Sequence, residues 1–141
     1  MNIDMDAVVS GATDAILWTS SCSGTVSIDG HAHTTDAPED CDKSLSLIGY
    51  TADDMADQAR EQIAADVRAF VETNADDLAA LIGEGKADAG SIGYDFTLTR
   101  NREGAGFWDR GYGERGERLT ANTHPYGEMS GYVGDDGRVY V

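Results

Sequence analysis

Apolar residues recur at steps of four, four, four and three along Met55, Ala59, Ile63, Val67 and Phe70, which places them in one stripe on a helix. The preceding Thr51-Ala52-Asp53-Asp54 has the form of a capping box, with Thr51 accepting from a free backbone N–H and Asp54 reaching back. A second helix, or a continuation, is predicted from Asn74 to Ile82, with Leu78, Leu81 and Ile82 facing inward and Gly83 ending it. Nearer the start, Asp4 to Trp18 reads as a short amphipathic helix with Val8, Ala12, Ala15 and Ile16 near one face. Gly11 weakens that helix by the usual ~1 kcal/mol. Between these segments, residues 20–42 are rich in Ser, Gly, Thr and Asp without periodicity, the pattern of an irregular surface loop.

Beyond Gly93 the period changes to two. Tyr94–Thr99 and Gly106–Arg110 are predicted to pair as antiparallel strands across an Arg100–Ala105 turn. Glu114 to about Thr123 is predicted as a short helix stopped by His124-Pro125. Met129–Val133 and Arg138–Val141, flanking an Asp136-Gly137 turn, predict a second hairpin. No repeat or long linker interrupts the chain, so residues 1–141 are expected to form a single α+β domain. Its antiparallel sheet, made of two C-terminal hairpins, packs against one or two amphipathic helices. Phe96, Leu98, Phe107 and Trp108 are then expected to be buried against Ile63, Val67 and Phe70. A chain of 141 residues is long enough to bury ~68% of its unfolded surface.

Charge alters this picture more than composition does. The chain has 26 acidic and 10 basic residues, a formal net charge of -16. Residues 1–50 carry eight acids and one base, residues 51–92 ten and three, and residues 93–141 eight and six. All six bases of the last part are arginines, and eight of the eleven aromatic residues lie there too. Such a chain is repelled by nucleic acid and by anionic membranes, and its natural partners are basic surfaces. The competing explanation is that acidity only maintains solubility or reflects a high-salt host, since Lys occurs only twice. No apolar run is long enough to span a bilayer, and Met1-Asn2-Ile3-Asp4 lacks the basic start of a signal peptide. A cytoplasmic location is expected.

Candidate chemistry is sparse. Cys22, His31, His33 and Cys41 are a legitimate zinc set by residue type, but their intervals of eight, one and seven residues lack the tight Cys knuckle that orients two ligands. No metal and no cofactor are expected, and a Cys22–Cys41 disulfide is disfavoured in a reducing compartment. Gly104-Ala105-Gly106 is not a dinucleotide fingerprint, because Phe107-Trp108 continues a strand pattern where a helix must open. Arg100, Arg102 and Arg110 beside these glycines are the residues that could hold a phosphate through bidentate contacts. Pairing with Asp95, Asp109, Glu114 and Glu117 competes with that role. No Gly-x-Ser-x-Gly elbow or His-Glu-x-x-His helix is present, so catalysis has little to stand on.

The runs Gly93-Tyr94-Asp95-Phe96-Thr97-Leu98-Thr99-Arg100-Asn101 and Gly104-Ala105-Gly106-Phe107-Trp108-Asp109-Arg110-Gly111, with Tyr132-Val133-Gly134-Asp135-Asp136-Gly137, resemble the core of a family of small acidic proteins of tailed bacteriophages, mainly those of actinobacteria. The chain departs from the family pattern at Tyr94 and Glu103, where the family has histidines, and at Thr97, where it has tryptophan. The resemblance covers about the last third well, the central helix loosely and the first fifty residues hardly. It implies an origin rather than a reaction. The expected function is that of a phage accessory protein binding a basic host or defence protein through an acidic, DNA-mimicking surface made by Asp53, Asp57, Glu61, Asp76 and Asp77. The alternatives are a small nucleotide- or phosphate-binding enzyme using Arg100, Arg102 and Arg110, and a structural or regulatory phage protein.

Overall fold

The computed structural model describes residues 3–21 and 44–141. Cys22, His31, His33, Cys41 and nearly all of the expected 20–42 loop lie outside the described residues. The fold is mostly helical, with a small antiparallel sheet, an α+β arrangement. Among the described residues five α-helices run in order: α1 (Met5–Thr19), α2 (Asp57–Thr73), α3 (Ala75–Gly83), α4 (Ala89–Arg100) and α5 (Glu114–Thr123). Strands β1 (Tyr132–Val133) and β2 (Val139–Tyr140) follow, with Tyr132 opposite Tyr140 and Val133 opposite Val139. Among the described residues no helix is long and apolar enough to cross a membrane.

The periodic segments behave as their spacing requires. Asp4 caps α1 by accepting from the Ala7 N–H at 3.2 Å. The Thr51–Asp54 box forms, with the Thr51 N–H donating to Asp54 Oδ2 at 2.8 Å. It closes a one-turn 3₁₀ segment, however, and α2 starts only after Ala56, where the chain is tied by the Ala56 N–H to the Val139 carbonyl at 2.8 Å. The stripe Met55, Ala59, Ile63, Val67 and Phe70 is buried throughout.

The first expected hairpin does not exist. Tyr94–Thr99 belongs to α4, and Phe107–Asp109 forms a single 3₁₀ turn. A period-two pattern arises here because α4 is covered on all sides. Seven of its residues beyond Ile92, namely Gly93 and the six from Asp95 to Arg100, are buried, so no polar face marks a helical period. The sequence does carry a helix start, Asp88-Ala89-Gly90-Ser91. Asp88 Oδ1 accepts from the Ser91 N–H at 2.8 Å, and Ser91 Oγ accepts from the Asp88 N–H at 3.0 Å.

Helix α4 is clamped between α1 and α2. Against α1 the contact is backbone to backbone. A Cβ at Gly93 would collide with the Val8 carbonyl and the Ala12 nitrogen, and one at Gly11 with the Gly90 carbonyl. Thr97 Oγ1 donates to the Ala12 carbonyl at 3.0 Å across this crossing. Against α2 the contact is aromatic, with the Phe70 ring 4.6 Å from Phe96 and 5.7 Å from Phe107.

Phe96, Leu98 and Phe107 are thus buried as expected, but Trp108 is 55% exposed. The one-turn 3₁₀ geometry sends Phe107 inward and its neighbour outward. Phe107→Ala is expected to cost about 3–5 kcal/mol, and Trp108→Ala less than half as much, as measured by urea unfolding of the two variants side by side.

Candidate functional site

The run from Gly93 to Arg110 is a structural clasp, and nearly every polar member has a partner. Arg100, at the end of α4, is 4% exposed. Its Nη1 lies 3.0 Å from Asp66 Oδ2, its Nε donates to the Gly127 carbonyl at 2.8 Å and its Nη2 to the Tyr126 carbonyl at 3.1 Å. The guanidinium also sits 5.3 Å from the Phe96 ring centre and 5.8 Å from that of Tyr126. Asn101 grips the Met129 backbone twice, donating to its carbonyl at 2.8 Å and accepting from its N–H at 2.6 Å. Thr99 Oγ1 accepts from the Phe107 N–H at 3.1 Å, and Asp109 Oδ1 from the Gly106 N–H at 3.0 Å.

Of the three arginines that could alternatively hold a phosphate, two are engaged within the chain. Arg100 is enclosed, and Arg110 holds Asp95, with Nη2 2.8 Å from Oδ1 and Nε 3.2 Å from Oδ2. Arg102 is exposed, at a left-handed φ of 54°. Burial pushes the Asp95 carboxyl up, against the opposing pull of Arg110, while this carboxylate pushes the Arg110 guanidinium up. Arg110 also approaches Asp109 at 3.9 Å. Pairing with Asp95 and Asp109, the competing role for Arg110, is the one realised.

The five acids singled out in the sequence fall into two groups. Asp53, Asp57 and Glu61 are exposed at the N-terminal end of α2. Asp76 and Asp77 open α3, beyond the far end of α2, whose length at 1.5 Å per residue is about 25 Å. Asp77 is also neutralised, its carboxylate receiving Arg118 Nη2 at 2.7 Å and Nε at 2.9 Å, which pulls it below the usual carboxylate range. Asp53, Asp57 and Glu61 have no cation within ion-pair distance among the described residues.

A separate cleft of about 730 Å³ opens where α1 and the start of α4 diverge from their glycine crossing. Its volume follows from what is missing. Ala7, Ser10 and Gly11 on one wall and Gly90 and Ser91 on the other carry no side chain long enough to fill it. Tyr94 and Tyr112, both half-buried, and the carboxylates of Asp14, Asp88 and Asp95 complete the lining, with Lys86 and Arg110. The Tyr112 hydroxyl donates to the Lys86 carbonyl at 3.4 Å. Burial, and then the Asp14 charge, push the Tyr94 hydroxyl up; burial, and then Asp95, do the same for Tyr112. Both phenols are neutral donors in this setting. Nothing in the sequence pattern signals the cleft, because its walls are small residues on two helices and the period-two pattern of α4 points to a strand.

Among the described residues no group of His, Cys, Asp and Glu is placed to hold a metal ion. Compared with known proteins, the chain matches no family model, no curated protein and no solved structure.

Proposed function

We propose that this protein acts by binding a basic protein through the acidic end of α2, with Asp53, Asp57 and Glu61 as the contact residues. In keeping with the phage resemblance, the partner is a host or defence protein whose Lys and Arg side chains otherwise grip phosphates. The observation that carries this reading is where the positive charge goes. Arg60 is spent on the carbonyls of Ala52, Asp53 and Met55. Arg100, Arg110, Arg115 and Arg118 are paired with Asp66, Asp95, Glu84 and Asp77, and Lys86 lies 3.7 Å from Glu84. Among the described residues internal ion pairs take up five of the ten cations, and none of these pairs involves Asp53, Asp57 or Glu61. An acidic field of this kind speeds association and is screened over ~8 Å at physiological ionic strength.

The test is the triple variant Asp53→Asn, Asp57→Asn, Glu61→Gln. These are solvent-facing positions, so its unfolding free energy is expected to stay within about 1 kcal/mol of the parent. Capture of a host-lysate partner by the parent should weaken steeply with salt, be competed by duplex DNA, and be lost in the variant. Capture that survives the triple change but disappears in Arg102→Asn, a substitution compatible with the left-handed backbone, would place the contact on the α4–α5 connection instead.

A further inference from the structure

We infer that the cleft between α1 and α4 binds a small organic cation, a guanidinium or primary ammonium on an apolar stem. This site shares no residue with the acidic end of α2 and stands independently of the function proposed for it. The cleft is lined by three carboxylates, Asp14, Asp88 and Asp95, against two cations, Lys86 and Arg110, and Asp95 is taken up by Arg110. Arg110 is held by Asp95 and Asp109, and Lys86 lies 3.7 Å from Glu84, which also pairs with Arg115. Asp88 spends one oxygen on the Ser91 N–H. Asp14 has no cation partner among the described residues. The net field inside is therefore negative, which disfavours a phosphate or carboxylate ligand.

The walls fit the remainder of such a ligand. Gly11 and Gly90 bring the two helices into contact at the floor of the cleft, and Ala7, Tyr94 and Tyr112 offer apolar surface above it for a methylene stem. Aromatic side chains attract cations through the face of the ring. Ser10, Ser91 and the neutral phenols supply further polar groups. A ligand pocket of this kind is mostly apolar with a few charged groups fixing orientation. The same cationic group can arrive on a free diamine or as the end of an arginine side chain, and the two sources are separated by the probes used.

The experiment is calorimetric titration of the intact protein with agmatine, with a short blocked peptide carrying a single arginine, and with glucose and inorganic phosphate as neutral and anionic controls. Binding of agmatine identifies a free cation as the ligand, and binding of the peptide alone identifies a protein side chain. In either case Asp14→Asn is expected to weaken binding about ten-fold, equivalent to ~1.4 kcal/mol. Ser10→Phe is expected to abolish binding by filling the cleft, and both variants should melt within a few degrees of the parent. Failure of both cations to bind the parent, equal affinity of the parent and Asp14→Asn, or binding of phosphate or glucose in preference, would overturn the assignment.

Discussion

Arg100→Met is expected to be among the most damaging single substitutions in this protein, lowering the unfolding free energy by about 3–5 kcal/mol. The side chain is 4% exposed and does three things at once. It neutralises Asp66, a carboxylate that is itself only 18% exposed. It supplies the hydrogen-bond donors for the carbonyls of Gly127 and Tyr126, and it fills the space beside two aromatic rings. Methionine keeps most of the packing and none of the charge, so Asp66 is left with no counter-ion in a mostly buried setting. Two further variants separate these contributions. Arg100→Lys can answer Asp66 but not both carbonyls, so it should fall between the parent and Arg100→Met. Adding Asp66→Leu to Arg100→Met removes the stranded charge and should recover part of the loss, as replacement of whole buried pairs often does. Urea unfolding of the four proteins ranks these contributions. A single variant as stable as the parent would show that the pair is not the clasp described here.

Gly93→Ala is expected to cost about 3 kcal/mol or more, although helix propensity alone favours alanine there by ~1 kcal/mol. The added methyl points into the main chain of α1, at the Val8 carbonyl and the Ala12 nitrogen. Main chain cannot move aside as a flexible side chain can, so the two helices must separate. The Thr97–Ala12 hydrogen bond stretches with them. Gly90, three residues earlier in the same helix, is the control. A Cβ there meets only Asp88 Oδ1 at an ordinary 3.5 Å, so Gly90→Ala should be neutral or stabilising by up to ~1 kcal/mol. Opposite signs for two alanines one helical turn apart are the signature of a backbone-to-backbone crossing. Equal effects would mean that the helices sit further apart.

The helices with one wet face were legible in the sequence. The steps from Ala59 to Phe70, the pair Leu78 and Leu81, and the stop at His124-Pro125 all specify a helix with an inner and an outer side, and each is realised, whereas Met55 is buried ahead of α2. The Asp136-Gly137 turn likewise pairs Tyr132 with Tyr140. Helix α4 was not legible by periodicity, because a helix enclosed on all sides has no polar face to set its phase. Its threonines and aromatics then imitate a strand. The Asp88–Ser91 box was the available signal. The exposure of Trp108 is illegible for a related reason, since alternation cannot distinguish Phe107 from its neighbour once the strand itself is absent. For the acids, spacing placed Asp57 and Glu61 correctly on one helix face. It carried no information on Asp77, whose partner Arg118 is 41 residues away.

The α1–α4 crossing also sets the order in which this chain can become ordered. Helical proteins usually fold within microseconds to milliseconds because their contacts are local. Here the glycine crossing joins residues about 85 apart, as the Thr97–Ala12 bond does. The Gly131 N–H reaches Ser20 Oγ across 111 positions. The entropy of closing such long loops must be met before the close-packed crossing returns anything. In its kinetics this mostly helical protein therefore faces the closure problem of a β-sandwich, with helices that can form early and a core that can assemble only late.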